Sequence, residues 1–218
     1  MENRRAMEAA ADSLRNAESG QVSLSSGTLK LIEVLRAEGM EPRALCEVLS
    51  VDDETWRLAA EALLGANREA LIVAPEHASR AVTILRNGRH GDFARCRVIN
   101  TSRLTASSTL PTPGTLASVL SSNDELAMAF VVNRIGSVAL ALTQDDLLSG
   151  GRAVMADGSY NDGLVVNLLD ERQFKIGRAA ASLMVSELRT QIDSLRDLDV
   201  RLDRNVRGLE DTLGRLTE

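Results

Sequence analysis

The sequence predicts a mixed α/β (α+β) domain made of two similar halves and flanked by antiparallel coiled-coil helices. Short apolar runs alternate with helical patterns in residues 41–103 and again in residues 115–171, and the chain ends in a heptad repeat. Aromatic residues are only 2% of the 218 residues, so Leu, Val, Ile and Ala must build the core.

Residues 1–40 are predicted to form an incoming coiled-coil arm and a connecting helix. A helix over residues 2–18 has a thin apolar face, made of Met7, Ala10, Leu14 and Ala17. An isolated helix of this length is marginal in water, so this one needs a partner. After two Ser/Gly interruptions, Thr28 is the predicted N-cap of a second helix that ends near Gly39.

Residues 41–103 are predicted to be the first half of the domain. Asp52 and Asp53 open a helix that Gly65 closes, and Pro75 starts another helix that Gly88 ends. Apolar runs around these two helices predict three strands, over residues 44–51, 70–73 and 95–99.

Residues 104–114, rich in Ser, Thr and Pro, are the predicted linker to a second half over residues 115–171. Asn123 or Asp124 caps the long helix of this half. The other predicted elements are strands over residues 115–121 and 137–142, a short helix over 145–148, and strands over 152–156 and 163–169 around a turn at 157–163.

The two halves correspond in sequence. Residues 58–73 can be aligned with residues 126–142 with one inserted residue. Each copy has a helix, a tight turn, a buried strand and an acidic helix start. We therefore expect an internal repeat, with both flanking helices leaving the domain close together and pairing antiparallel.

Residues 172–218 are the predicted outgoing coiled-coil arm. Apolar residues recur there at alternating spacings of three and four, at Leu188, Ile192, Leu195, Leu202, Val206, Leu209, Leu213 and Leu216. Asp199 interrupts this seam, which indicates a register shift, a solvated gap, or a contact with Arg4 or Arg5. The repeat has no helix stop signal, so we expect the chain to be a fragment of a longer protein.

Composition and motifs argue against a catalytic, metal-binding or cofactor-binding site in this fragment. The net charge is -6, the two cysteines lack metal spacing, and no signal peptide or long apolar run predicts a membrane segment. The spacing of Asp157, Ser159 and Asn161 matches the first ligands of a calcium-binding loop. The twelfth position of such a loop requires Glu, but here it is Leu168. No phosphate-binding loop or catalytic triad motif is present. We predict a cytoplasmic protein with no cofactor, metal or catalytic residue in this fragment.

Two basic clusters are candidates for contact with nucleic-acid phosphates despite the negative net charge. The first contains Arg80, Arg86, Arg89, Arg95, Arg97 and Arg103. The second lies where the arms leave the domain, at Lys30, Arg36, Arg172, Lys175 and Arg178. The alternative interpretation of each cluster is an ordinary solvated face. Since aromatics are scarce, any binding should be to the backbone and independent of sequence.

Several segments resemble the hinge domain of SMC-type ATPases, over roughly residues 40–170. In the first half these are residues 51–56 (Val-Asp-Asp-Glu-Thr-Trp), 60–65 (Ala-Glu-Ala-Leu-Leu-Gly) and 67–73 (Asn-Arg-Glu-Ala-Leu-Ile-Val). They are most similar to the MksB/JetC subunit of the MksBEF and Wadjet systems. In the second half, residues 121–127 and the Asp157-Gly158 pair also resemble a hinge.

This resemblance implies a homodimerisation hinge of a DNA-translocating ATPase. Edge strands around residues 95–99, and around 152–156 or 163–168, would pair between subunits. The candidate interface residues are Val98, Gly150, Gly151, Val154, Gly158 and Gly163. The resemblance also raises the expectation of DNA contact near the arm junction.

For the full-length protein, the resemblance implies ATP and Mg²⁺ in heads outside this chain, with kleisin, kite and nuclease subunits as partners. It implies a nucleoid-associated role in chromosome maintenance or plasmid defence. The alternative hypothesis is a small-molecule-sensing α/β regulatory domain that signals through its coiled coil, with a ligand cleft between the halves.

Overall fold

The computed structural model describes residues 24–104, 110–170 and 174–177, and in the flanks residues 7, 11, 14, 185, 188–190, 192–202 and 204. The chain divides into two compact units. One unit is Leu24–Ala180, and the other combines Met1–Ser23 with Ala181–Glu218.

The larger unit begins with helix α1 (Ser26–Ala37), which buries Leu31, Ile32 and Leu35. Its N-cap is Ser25, whose hydroxyl accepts the backbone N–H of Thr28 at 3.4 Å, so the prediction of Thr28 as the cap was wrong. Thr28 is instead buried in the first turn, where its hydroxyl donates to Glu69.

The first half continues with β1 (Arg43–Ala44), α2 (Leu45–Val48), β2 (Ser50–Val51), α3 (Arg57–Leu64), β3 (Leu71–Ile72) and α4 (Ala78–Asn87). Helices α3 and α4 confirm the two predicted helices. The predicted strand over residues 44–51 was wrong at its centre, because α2 interrupts it. The Glu47 carboxylate accepts the backbone N–H of Ala44 at 3.3 Å, which closes a helical turn that the apolar run alone does not indicate.

The predicted strand over residues 95–99 is reduced to one parallel bridge between Leu71 and Val98. Residues 88–95 form turns and contribute no strand.

The second half contains β4 (Leu120–Ser121), α5 (Glu125–Ile135), β5 (Ala139–Leu140), α6 (Gln144–Leu148), β6 (Ala153–Val154), β7 (Ser159–Asn161) and β8 (Val166–Leu168). Asp124 caps α5 by accepting the backbone N–H groups of Leu126 and Ala127. The predicted strand over residues 115–121 is a 3₁₀ helix (Leu116–Val119) followed by the short β4. Of the predicted linker, residues 105–109 lie outside the described residues.

The predicted turn over residues 157–163 was wrong, because it contains strand β7. Two separate Asx turns take its place. Asp157 accepts the backbone N–H of Ser159, and Asp162 accepts those of Leu164 and Val165. Each turn reverses the chain, so β6, β7 and β8 form an antiparallel meander.

Strand pairing reveals the internal repeat. Strand β3 lies between antiparallel β1 and the parallel bridge to Val98. Strand β5 lies in the same way between an antiparallel bridge to Thr115 and parallel β6. Val98 thus occupies in the first half the position of β6 in the second. Among the described residues, only the second half extends its sheet further, in the order β5-β6-β7-β8.

One hydrophobic core runs through both halves. Leu45, Trp56 and Leu64 from the first half share it with residues of the second half and of the leaving segment (residues 174–177), including Leu116, Val131, Val154, Tyr160 and Ile176. The β2–β4 ladder also crosses between the halves. The two halves therefore repeat the same strand arrangement, but they pack around one shared hydrophobic core.

In the smaller unit, residues 188–190 and 192–202 are helical. Ile192 on the predicted seam is 7% exposed, while Leu198, Val200 and Leu202 are exposed. Most of the helix over residues 2–18, and the seam beyond residue 204, lie outside the described residues, so the antiparallel pairing of the arms stays a prediction.

Candidate functional site at the sheet edges and the chain crossing

Strand β8 is an open edge of the four-stranded sheet. It pairs with β7 on one side, and no other strand of the described residues pairs with it. Most side chains at the end of the turn before it and in the strand are apolar and exposed: Leu164 is 98% exposed, Val166 49% and Leu168 77%. An exposed apolar edge of this kind is a template for pairing with another chain.

The first half has an open edge at Val98, beside which the described part of the chain places no strand other than β3. The N–H of Leu71 donates to the carbonyl of Arg97 and the N–H of Ile99 donates to the carbonyl of Leu71, both at 2.9 Å. These bonds use the backbone groups on either side of Val98. In an extended segment the N–H and C=O of Val98 itself must point away from β3.

The other candidate interface residues differ in position. Val154 is fully buried in β6, which lies between β5 and β7, so residues 152–156 cannot form the predicted edge. Gly158 is buried, and a Cβ there would lie 3.1 Å from the carbonyl oxygen of Leu169. Gly150, Gly151 and Gly163 are exposed in turns next to the sheet.

The leaving segment, Phe174–Gly177, is anchored by the fully buried carboxylate of Glu61. Glu61 Oε1 accepts the backbone N–H groups of Lys175 and Ile176 at 2.8 and 2.7 Å. Glu61 Oε2 accepts Arg68 Nη1 at 2.9 Å. Arg57, 4% exposed, donates to the carbonyl of Ile176 at 2.8 Å. A buried charge needs such partners on every side.

Sequence reasoning missed this anchor. Arg57 and Glu61 are spaced i, i+4, which is usually a solvated helix pair. The available signal was the setting of Glu61 among the apolar residues of α3, where Ala59, Ala60 and Leu64 are buried.

Glu69 joins the leaving segment to the entering segment, Leu24–Ser26. Its Oε2 accepts the backbone N–H of Ser25 at 3.0 Å and the hydroxyl of Thr28 at 2.9 Å, and its Oε1 pairs with Lys175 Nζ. Burial alone would raise the pKa of Glu69, but the hydrogen bonds from Lys175 and Ser25 outweigh it and lower the pKa to about 2. Glu69 therefore stays ionised and holds both segments.

A basic pocket of 510 Å³ opens beside the contacts that Glu69 makes with the entering and leaving segments. It is lined by Ser25, Gly65, Ala66, Arg68, Glu69, Arg95, Arg97 and Lys175. The fold thus brings Arg95 and Arg97 of one predicted cluster together with Lys175 of the other.

The remaining basic candidates do not line the basic pocket. Lys30 is exposed and pairs with Asp92 at 2.9 Å. Arg86, Arg89 and Arg103 are exposed. Arg178 lies outside the described residues.

Comparison with solved structures identifies the architecture. The Geobacillus stearothermophilus SMC hinge domain, crystallised as an asymmetric dimer, aligns with a TM-score of 0.53 and 15% identity, over 95% of this chain and 90% of that one. A structure of the folded elbow of cohesin aligns with a TM-score of 0.53 and 17% identity, over 96% of this chain and 34% of that one. The Schizosaccharomyces pombe Smc5/6 hinge domain aligns with a TM-score of 0.50 and 16% identity, over 78% and 75%.

The chain has the SMC hinge fold. No family model matches the sequence, and no curated protein matches it. The fold prediction is thus confirmed by structural likeness.

A second groove, of 610 Å³, lies between the halves of the hinge fold, as the small-molecule hypothesis expects. Its lining is mostly polar or charged: Arg43, Glu47, Val48, Ser50, Asn123, Asp124, Glu125 and Leu126. Small-molecule pockets are mainly apolar with a few polar groups, so this groove does not favour that hypothesis.

Within the described part of the chain, no group of three or more His, Cys, Asp or Glu side chains is arranged to hold a metal ion. In the same residues, no helix has both the length and the apolar character needed to span a membrane.

The Glu61 anchor predicts a stability difference between two carboxylates that both contact Arg57. Replacing Glu61 with Ala removes the buried carboxylate that Arg57 and Arg68 share, and should lower the free energy of unfolding by about 3 to 5 kcal/mol. Glu54, whose side chain is 59% exposed, is the matched control. Glu54→Ala should cost less than about 1 kcal/mol. Urea unfolding of both variants measures the difference, and equal losses would contradict the anchor.

Proposed function

We propose that this chain is a homodimerisation hinge, in which β8 of one copy pairs with the Val98 edge of a second copy. The observation that carries the proposal is the presence of two open edges, one in each half, of which β8 is flanked by exposed Leu and Val side chains. A single copy has no described partner strand for either edge.

The internal repeat explains how the edges would match. The first half ends its sheet at Val98, the position that β6 occupies in the second half. Pairing Val98 with β8 of another copy would extend the small sheet into the order β1-β3-Val98 followed by β8-β7-β6-β5. Two-fold symmetry then forms this contact twice and leaves neither edge open.

Burial of apolar surface would drive the association. Leu164, Val165, Val166 and Leu168 are all exposed apolar residues, interrupted only by Asn167, and such a cluster is unfavourable in water and typical of an interface. The Geobacillus stearothermophilus hinge domain was crystallised as a dimer, which supports the same role here.

We further propose that the hinge belongs to a condensin-like, MksB/JetC-type ATPase, acting in chromosome maintenance or plasmid defence in the nucleoid. The support is the run of residues 51–73 and the heptad repeat of the outgoing arm. ATP and Mg²⁺ would bind in heads outside this chain, and kleisin, kite and nuclease subunits would join the full-length protein. This fragment would perform no catalysis.

A second proposed function is contact with the DNA backbone at the basic pocket. Lys175 meets Arg95 and Arg97 there, although it is far from the two arginines in sequence. Concentrated positive charge of this kind neutralises phosphates and releases counterions, whatever the net charge of the chain.

Dimerisation can be tested by complementation between two edge variants. Leu168→Lys places a charge on β8, and Val98→Pro removes the outward N–H. Each alone should weaken the dimer about 30-fold or more, which corresponds to about 2 kcal/mol. In an equimolar mixture, each heterodimer has one contact between unchanged edges, so the mixture should associate more tightly than either variant.

Sedimentation equilibrium measures the three dissociation constants. The matched control is Leu142→Lys, because Leu142 is 80% exposed but follows β5 at the other end of the sheet. The pairing of β8 with Val98 is contradicted if the mixture is no tighter than the single variants, or if Leu142→Lys weakens the dimer as much as Leu168→Lys.

DNA contact can be tested by reversing charge in the basic pocket. Arg95→Glu with Arg97→Glu should weaken binding to duplex DNA at least tenfold and reduce the slope of log K against log salt by about 2. Arg86→Glu with Arg103→Glu is the control, with the same change of charge outside the pocket. Fluorescence anisotropy across a salt series measures both quantities. Equal losses in the two pairs would contradict a specific role for the pocket.

A further inference from the structure

Lys175 lies at the junction of two features. Its ammonium group pairs with Glu69, and its side chain also lines the basic pocket with Arg95 and Arg97. Among the described residues that line that pocket, Glu69 is the acidic one. A phosphate that enters the pocket therefore meets Lys175 while Lys175 is engaged by a carboxylate.

The Glu69–Lys175 pair connects the two ends of the domain, because Glu69 also holds the entering segment. The same carboxylate accepts the N–H of Ser25 and the hydroxyl of Thr28. The ammonium of Lys175 thus links the leaving segment to the start of α1. Without it, Glu69 would still hold Ser25 and Thr28 but would lose its bond to the leaving segment.

The leaving segment has a second anchor that does not need this ammonium. Glu61 holds the backbone N–H groups of Lys175 and Ile176, and Arg57 holds the carbonyl of Ile176. The side chain of Lys175 can therefore turn from Glu69 into the pocket while the backbone stays in place. The link can open without unfolding the domain.

We propose that phosphate binding in the basic pocket and the Glu69 link compete for Lys175, so that an occupied pocket uncouples the entering segment from the leaving segment. The ligand class is a phosphate group, supplied by the DNA backbone or by a free phosphate. This inference rests on the proposed DNA contact. Linkage makes the competition reciprocal: weakening the Glu69 link strengthens phosphate binding, and phosphate binding weakens the link.

The composition of the chain makes Lys175 directly observable. The sequence contains two lysines, Lys30 and Lys175. Reductive ¹³C-methylation keeps their charge and gives one NMR signal for each, assigned by comparison with Lys30→Arg. The probes are a short DNA duplex and, separately, inorganic phosphate. We expect the Lys175 signal to shift when DNA is added. In ligand-free Glu69→Gln, where Lys175 has lost the Glu69 carboxylate, the signal should also differ from its position in the wild type.

Affinity gives a second readout on unmethylated protein. Glu69→Gln should bind the duplex about fivefold more tightly than the wild type, because the competitor for Lys175 is weakened. Glu76→Gln is the control, since it removes the same charge from an exposed residue outside the pocket lining. It should change the affinity less than twofold.

The outcomes separate the inference from the function on which it rests. If DNA binds but the Lys175 signal does not move, or if Glu69→Gln and Glu76→Gln bind alike, the competition is wrong and the DNA contact stands. If neither the wild type nor Glu69→Gln binds DNA or phosphate, both fail. If inorganic phosphate moves the signal and DNA does not bind, the competition holds with free phosphate as the ligand and the DNA contact fails.

Discussion

Glu61 accepts two backbone N–H groups of the leaving segment inside the core, and this contact fixes where the chain departs from the domain. Two arginines surround the carboxylate, and one of them also holds the carbonyl of Ile176. Because an unpaired buried charge is costly, all these partners must be in place together. Ile176 then joins the core that both halves share, so the exit of the chain is positioned by the packing of the whole domain.

The repeated topology accounts for the two open edges. Each half surrounds its central strand with an antiparallel neighbour and a parallel neighbour, β3 in the first half and β5 in the second. Only the second half adds β7 and β8, so one edge ends at Val98 and the other at β8. This asymmetry gives a single copy two unlike edges, which a second copy can satisfy through two-fold symmetry. The contacts of Glu69 and the basic pocket are formed by the first half together with the entering and leaving segments.

Hydrophobic periodicity was sufficient to predict helices α3, α4 and α5 and the repeated halves, because these depend on local patterns. It failed for residues 44–51, where the Glu47 side chain closes a helical turn, and for residues 157–163, where two Asx turns enclose β7. That second error placed Val154 at an edge that β7 covers. The convergence of Arg95, Arg97 and Lys175 depends on tertiary packing, and a sequence pattern has no signal for it.

The mass of the chain in solution tests the central claim most directly. A hinge that closes both edges with a second copy should have, at micromolar concentration, a light-scattering mass of twice the 23.5 kDa of one chain. That mass should fall toward 23.5 kDa when Leu168 is changed to Lys. A wild-type chain that keeps a mass of 23.5 kDa at these concentrations would contradict the claim.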